Sequence, residues 1–95
     1  MVVHGGNMED FPFEELIQKD YVIRTFSEDV DDMELVWHRD REDRIVKSID
    51  ETDWMLQMDN ELPQSLTETI FIPKNTYHRV IKGTGDLNVK IKKML

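Results

Sequence analysis

Apolar and polar residues follow two different rhythms along this chain. Near the start, Phe13, Leu16 and Ile17 recur at helical spacing, and Pro12 suits a first-turn position. The spacing predicts one short helix over residues 11–20, preceded by a flexible leader, residues 1–10, that contains His4-Gly5-Gly6-Asn7. From Tyr21 onward the pattern changes to short β-type runs, predicting strands over residues 21–26, 34–40, 44–49, 54–58, 69–72, 78–82 and 87–92. Two of these alternate cleanly. Trp54, Leu56 and Met58 share one face, and Leu87, Val89 and Ile91 oppose Asn88, Lys90 and Lys92.

Polar stretches separate the runs. Residues 27–32 form an acidic loop, residues 59–64 hold Pro63, and Pro73-Lys74-Asn75-Thr76 stops a strand. Gly83-Thr84-Gly85-Asp86 reads as a hairpin turn. Strands at this short, even spacing imply an all-β sandwich or barrel rather than a parallel α/β sheet. The expected organisation is one domain over residues 1–95, with the barrel in residues 21–92.

Composition narrows the picture. A chain of 95 residues buries only about 60–65% of the surface that its unfolded form exposes, so the core is modest. Hydrophobic residues make up 39% and are spread along the chain, which argues against general disorder. Without cysteine there is no disulfide, thiolate ligand or cysteine nucleophile. No basic cluster with an apolar run opens the chain, and no stretch approaches the roughly 20 apolar residues of a membrane span. The expectation is a soluble, cytoplasmic protein.

The net charge of −8 is unevenly placed. Residues 1–73 carry 6 Lys and Arg against 19 Asp and Glu, whereas residues 74–95 carry 6 against Asp86 alone. Such acidity repels a phosphate backbone and excludes a dedicated nucleic-acid binder. The basic C-terminal stretch reads as a solvated strand face and tail.

Three residues carry candidate chemistry. On a strand, residues two apart share a face, which puts Glu34, Val36, His38 and Asp40 together and Leu35, Trp37 and Arg39 opposite. A second histidine, His78, opens a later strand on the same parity as Val80, with Tyr77 and Arg79 on the other. Two imidazoles and one carboxylate form the ligand set of many non-haem iron sites, and they equally suit zinc, manganese or nickel. The alternative is a hydrogen-bonded His38, with Asp40 paired to Arg44 or Arg79 and no metal.

The segments Trp37-His38-Arg39-Asp40, Arg44-Ile45-Val46-Lys47-Ser48-Ile49 and Ile70-Phe71-Ile72-Pro73-Lys74-Asn75-Thr76-Tyr77-His78-Arg79-Val80 together resemble a cupin. The likeness covers about residues 30–92. It implies a single RmlC-like jelly-roll β-barrel, all-β apart from the short N-terminal helix. His38 stands at the first-motif histidine, Asp40 at the second, and His78 at the histidine of the "IP-x-G-x-x-H" core. Arg44 falls on the family's glutamate and cannot ligate a metal, because it stays protonated. Asn75 replaces the usual turn glycine, which its tolerance of a left-handed backbone permits, and Thr67 replaces a further glycine.

The resemblance implies a three-ligand metal site at His38, Asp40 and His78. Arg44, Glu34, Val36 and Val80 would face the pocket, with Arg44 orienting a small-molecule ligand. One function is then a metal-dependent enzyme acting on a small molecule. A second is a metal-free ligand-binding or regulatory domain. A third is a 2-oxoglutarate/iron oxygenase, which uses the same His-x-Asp … His pattern but needs a longer chain and a basic residue near Asn88. Trp37, on the face opposite His38, needs cover, and cupins commonly dimerise through outer strands, so a homodimer is expected.

Overall fold

A computed structural model describes Val2–Val3 and residues 13–94, the side chains of Val2, Val3 and Glu34 excepted. The strands are β1 (Val2–Val3), β2 (Glu14–Ile17), β3 (Val22–Phe26), β4 (Asp43–Ser48), β5 (Met55–Met58), β6 (Gln64–Ser65), β7 (Ile70–Ile72), β8 (His78–Ile81) and β9 (Leu87–Met94). They form a six-stranded sheet in the order β1-β2-β3-β9-β4-β7 and a three-stranded sheet in the order β6-β5-β8. Among the described residues all pairings are antiparallel, and hydrogen bonding does not join the two sheets into a closed barrel.

The alternation in the sequence dictates which faces meet. β9 lies between β3 and β4 and turns Leu87, Val89 and Ile91 inward, where they are almost fully buried. From the smaller sheet, Trp54, Leu56 and Met58 close on the same core. Each such burial stabilises the fold by roughly 1.5–3 kcal/mol. Trp54 anchors the junction. Its ring centroid is 6.0 Å from that of Phe26, and its indole N–H donates to the Gly85 carbonyl at 3.0 Å, so the one polar atom of this buried ring is satisfied.

Three expected elements differ. The helix over residues 11–20 is not seen: Glu14–Ile17 is a strand, and residues 11–12 lie outside the described residues. Leu16 pairs with Ile23 and Glu15 with Arg24, and Gln18 N–H closes the turn on the Tyr21 carbonyl at 2.9 Å. Three apolar residues at helical spacing are too short a signal to outweigh a neighbouring strand that satisfies the backbone. Of the expected leader, Val2–Val3 pair with Leu16 and Glu15, and the remainder lies outside the described residues.

The strand over residues 34–40 also fails to form. A 3-10 turn at Asp32–Glu34, capped by the Asp31 side chain on Met33 N–H, takes its start, and a single bridge joins His38 to His78. Strict alternation is lost, so Leu35 packs on the core while Val36 is 59% exposed. Finally, the Gly83–Asp86 turn is not a hairpin, because β8 and β9 belong to different sheets. It carries the chain from one sheet to the other, with Gly85 at φ 70°.

Candidate metal centre

The two motif histidines meet through their backbones. His38 N–H donates to the His78 carbonyl at 3.0 Å and His78 N–H to the His38 carbonyl at 2.8 Å. Asn75, at φ 61°, turns its N–H onto the Asp40 carbonyl at 2.7 Å. Asn adopts this left-handed conformation more readily than other non-glycine residues. The turn thus pins the segment carrying His38 and Asp40 against the start of β8, and the imidazole centroids lie 4.3 Å apart.

Side-chain bonds fix the tautomers. Nδ1 of His78 lies 2.8 Å from the Thr76 carbonyl, and Nδ1 of His38 lies 3.1 Å from the Val36 carbonyl. A carbonyl only accepts, so each Nδ1 carries a proton, and Nε2 is the nitrogen left to act as a ligand when the ring is neutral. His78 is 4% exposed. Burial lowers its pKa from 6.5, outweighing the opposing pull of the Thr76 bond and of Asp40, while the nearby His38 and Arg44 lower it further. The ring is therefore neutral at pH 7.

Nε2 of His78 lies 3.3 Å from Oδ2 of Asp40, and Nη1 of Arg44 lies 3.4 Å from the same oxygen. Neither contact makes a hydrogen bond. Oδ2 is buried with no hydrogen-bond partner among the described residues. Two lone pairs then face each other across 3.3 Å in a partly dehydrated site, an arrangement that a proton or a cation between them relieves. Arg44 is largely held elsewhere: its Nε and Nη2 donate to Glu42 Oε1 at 2.9 and 2.7 Å, which lowers the Glu42 pKa.

His38, Asp40 and His78 thus come together, with ligand atoms within 4.8 Å of one another. Atoms sharing one ion at about 2.1 Å in a tetrahedral site lie about 3.4 Å apart, so the widest pair closes by roughly 1.5 Å when an ion is held. His38 and His78 border a cavity of about 100 Å3 whose other walls are mainly apolar, Phe26, Leu56 and Ile72 among them. Arg44, Val36 and Val80 are among the residues that line it, whereas the side chain of Glu34 lies outside the described residues. Asp40 reaches the cavity only through His78 and Arg44. Trp37 is 43% exposed, with the Arg79 guanidinium 4.9 Å from its ring centroid.

One lining residue was missed in the sequence. Arg24 enters the cavity from β3, its Nε bonded to Glu15 and its guanidinium 4.3 Å over the Phe13 ring. Val22 and Phe26, two residues either side, are apolar, so an arginine at an inward-facing position was readable from the alternation of that strand.

No protein-family model and no curated protein matches the sequence. Solved structures do. A cupin-2 domain protein from Shewanella frigidimarina aligns over 83% of this chain and 76% of its own, at TM-score 0.54 and 15% identity. Fe(II)-HppE with an alternative substrate aligns over 99% of this chain and 55% of its own, at TM-score 0.63 and 13% identity. A DMSP lyase aligns over 79% of this chain at TM-score 0.64 and 14% identity, and the chain spans only 37% of its length. These are cupin-type folds, and with two antiparallel sheets packed on one core this chain has the cupin-type fold as well.

Proposed function

We propose that this cupin-type domain binds a small molecule in its cavity and that the site is completed by a divalent metal ion held by His38, Asp40 and His78. The orphaned Oδ2 of Asp40, facing the bare Nε2 of a buried neutral histidine, carries the reading. Each histidine spends its Nδ1 proton on a backbone carbonyl, the usual way a protein orients an imidazole ligand. Iron, zinc, manganese and nickel all suit two imidazoles and a carboxylate. A bound ion would supply Lewis-acid polarisation of a ligand oxygen, the basis of a metal-dependent enzyme. The protein's own groups do the rest. The apolar wall excludes water, and Arg44, fixed by Glu42, offers a positive charge beside Asp40.

Arg44 also favours a second reading. It stands at the position where the cupin motif has a glutamate and already brings a cation to 3.4 Å from Oδ2, which would suit a metal-free ligand-binding domain. Plasma mass spectrometry separates the two. Wild type purified without chelator is expected to hold about one metal per chain, lost in His38→Ala and in His78→Ala while both remain folded by circular dichroism. Less than a tenth of a metal per chain, after incubation with iron, zinc, manganese and nickel in turn, sinks the metal site and leaves the metal-free domain.

A further inference from the structure

The ionisable side chains lining the cavity are Arg24, Arg44, His38 and His78; no carboxylate lines it among the described residues. The acids that balance the arginines, Glu15 and Glu42, bind them from outside that wall. Arg44 commits Nε and Nη2 to Glu42. Arg24 commits Nε alone, and its two Nη groups have no hydrogen-bond acceptor among the described residues. Its side chain is 15% exposed, and the Nη groups, unlike Oδ2 of Asp40, keep contact with solvent, so the fork is accessible to a ligand that enters the cavity. A guanidinium in that state matches a carboxylate, which accepts two parallel N–H bonds. Both of its anchors hold it still: Glu15 on the paired strand, and the Phe13 ring beneath its plane.

The geometry points to Arg24 as the anion anchor of the cavity, and to a ligand that is a small carboxylic acid with an apolar body. The inference rests on the small-molecule pocket proposed above and is independent of the metal. The apolar body is called for by Phe26, Leu56, Val89 and Ile91, which line the wall between the polar groups. A neutral ligand of the same shape would forgo the charge-assisted pair of bonds that a carboxylate makes with the Nη donors.

Propanoate, butanoate and 3-methylbutanoate, each against its own primary amide, test this by calorimetric and 15N-NMR titration of the full chain. At least one acid is expected to bind roughly tenfold to a hundredfold tighter than its amide. Arg24→Gln is expected to erase that preference while metal content per chain stays as in wild type. Because Arg24→Gln strips Glu15 of its partner, the paired variant Glu15→Gln/Arg24→Gln is run beside it and should behave alike. If no acid is preferred over its amide, or the preference survives in both Arg24 variants, the inference is overturned. Preference for the acid in a protein that takes up no metal sinks only the metal site.

Discussion

Asp40→Asn should stabilise the metal-free protein while abolishing its metal site. In the wild type, Oδ2 of Asp40 is buried, unbonded, and 3.3 Å from the bare Nε2 of His78. An asparagine amide turned the same way places an N–H2 donor at that position, and the facing lone pairs become a hydrogen bond. Relief of an unsatisfied buried acceptor is worth about 1–3 kcal/mol. Against it stands the loss of the Asp40 charge beside Arg44, a contact of 3.4 Å without hydrogen-bond geometry, and because Arg44 keeps its two bonds to Glu42 no buried charge is left unpaired and this loss stays below the relief. The balance favours the variant by about 1 kcal/mol, or roughly 4–8 °C in Tm for a domain this small.

The order reverses with metal. An ion at a hundred times its Kd adds about 2.7 kcal/mol to the protein that binds it and nothing to the one that does not. Differential scanning calorimetry of both proteins, with chelator and with saturating zinc or manganese, reads the crossing. With chelator the variant should melt higher, and with metal the wild type should. A variant that melts several degrees below the chelator-treated wild type would show that the Asp40 charge is already satisfied by Arg44. The argument from the orphaned oxygen would then be refuted.

Two further perturbations follow from the same geometry. Since burial lowers the His78 pKa from 6.5, the unfolded chain takes up the proton first as pH falls. The stability of chelator-treated protein should therefore be full above about pH 6.5 and decline as pH drops from there through the lowered native value; urea midpoints across that range should flatten in His78→Gln, and an unchanged slope would count against a neutral buried ring. At the cross-sheet turn, a Cβ on Gly83 would come within 2.7 Å of Trp54 N and 2.8 Å of the Asp53 carbonyl carbon, backbone atoms that cannot swing aside. Gly83→Ala should cost about 1–3 kcal/mol in urea unfolding, and a cost near zero would mean that the junction is looser than described.

Alternation was the trustworthy signal wherever a strand buries one face. Trp54, Leu56 and Met58, and likewise Leu87, Val89 and Ile91, sit inward as their spacing requires. The signal failed where few residues carried it. Phe13, Leu16 and Ile17 fit a helix and a strand about equally, and the choice was made by a partner, β3, that lies beyond any local window. Gly83–Asp86 has hairpin composition, but composition cannot say that the strands on either side belong to different sheets.

The site was legible for a different reason than the one that predicted it. His38 and Asp40 were grouped by assuming a strand over residues 34–40, and that strand does not exist. They still converge on His78 because the motif encodes backbone contacts and not only side-chain parity: the reciprocal His38–His78 bridge and the Asn75 N–H on the Asp40 carbonyl fix both residues with almost no sheet around them. Parity was therefore dispensable for the motif residues, whereas for Val36, whose backbone pairs with no strand, the alternation broke and the side chain is 59% exposed. The same logic explains why Arg24 was overlooked. It belongs to no motif, and although its inward parity on β3 was readable, the Glu15 pairing that holds it exists only once β2 is a strand. Reading residues 14–17 as helix thus hid the contact that fixes Arg24 as well as the strand.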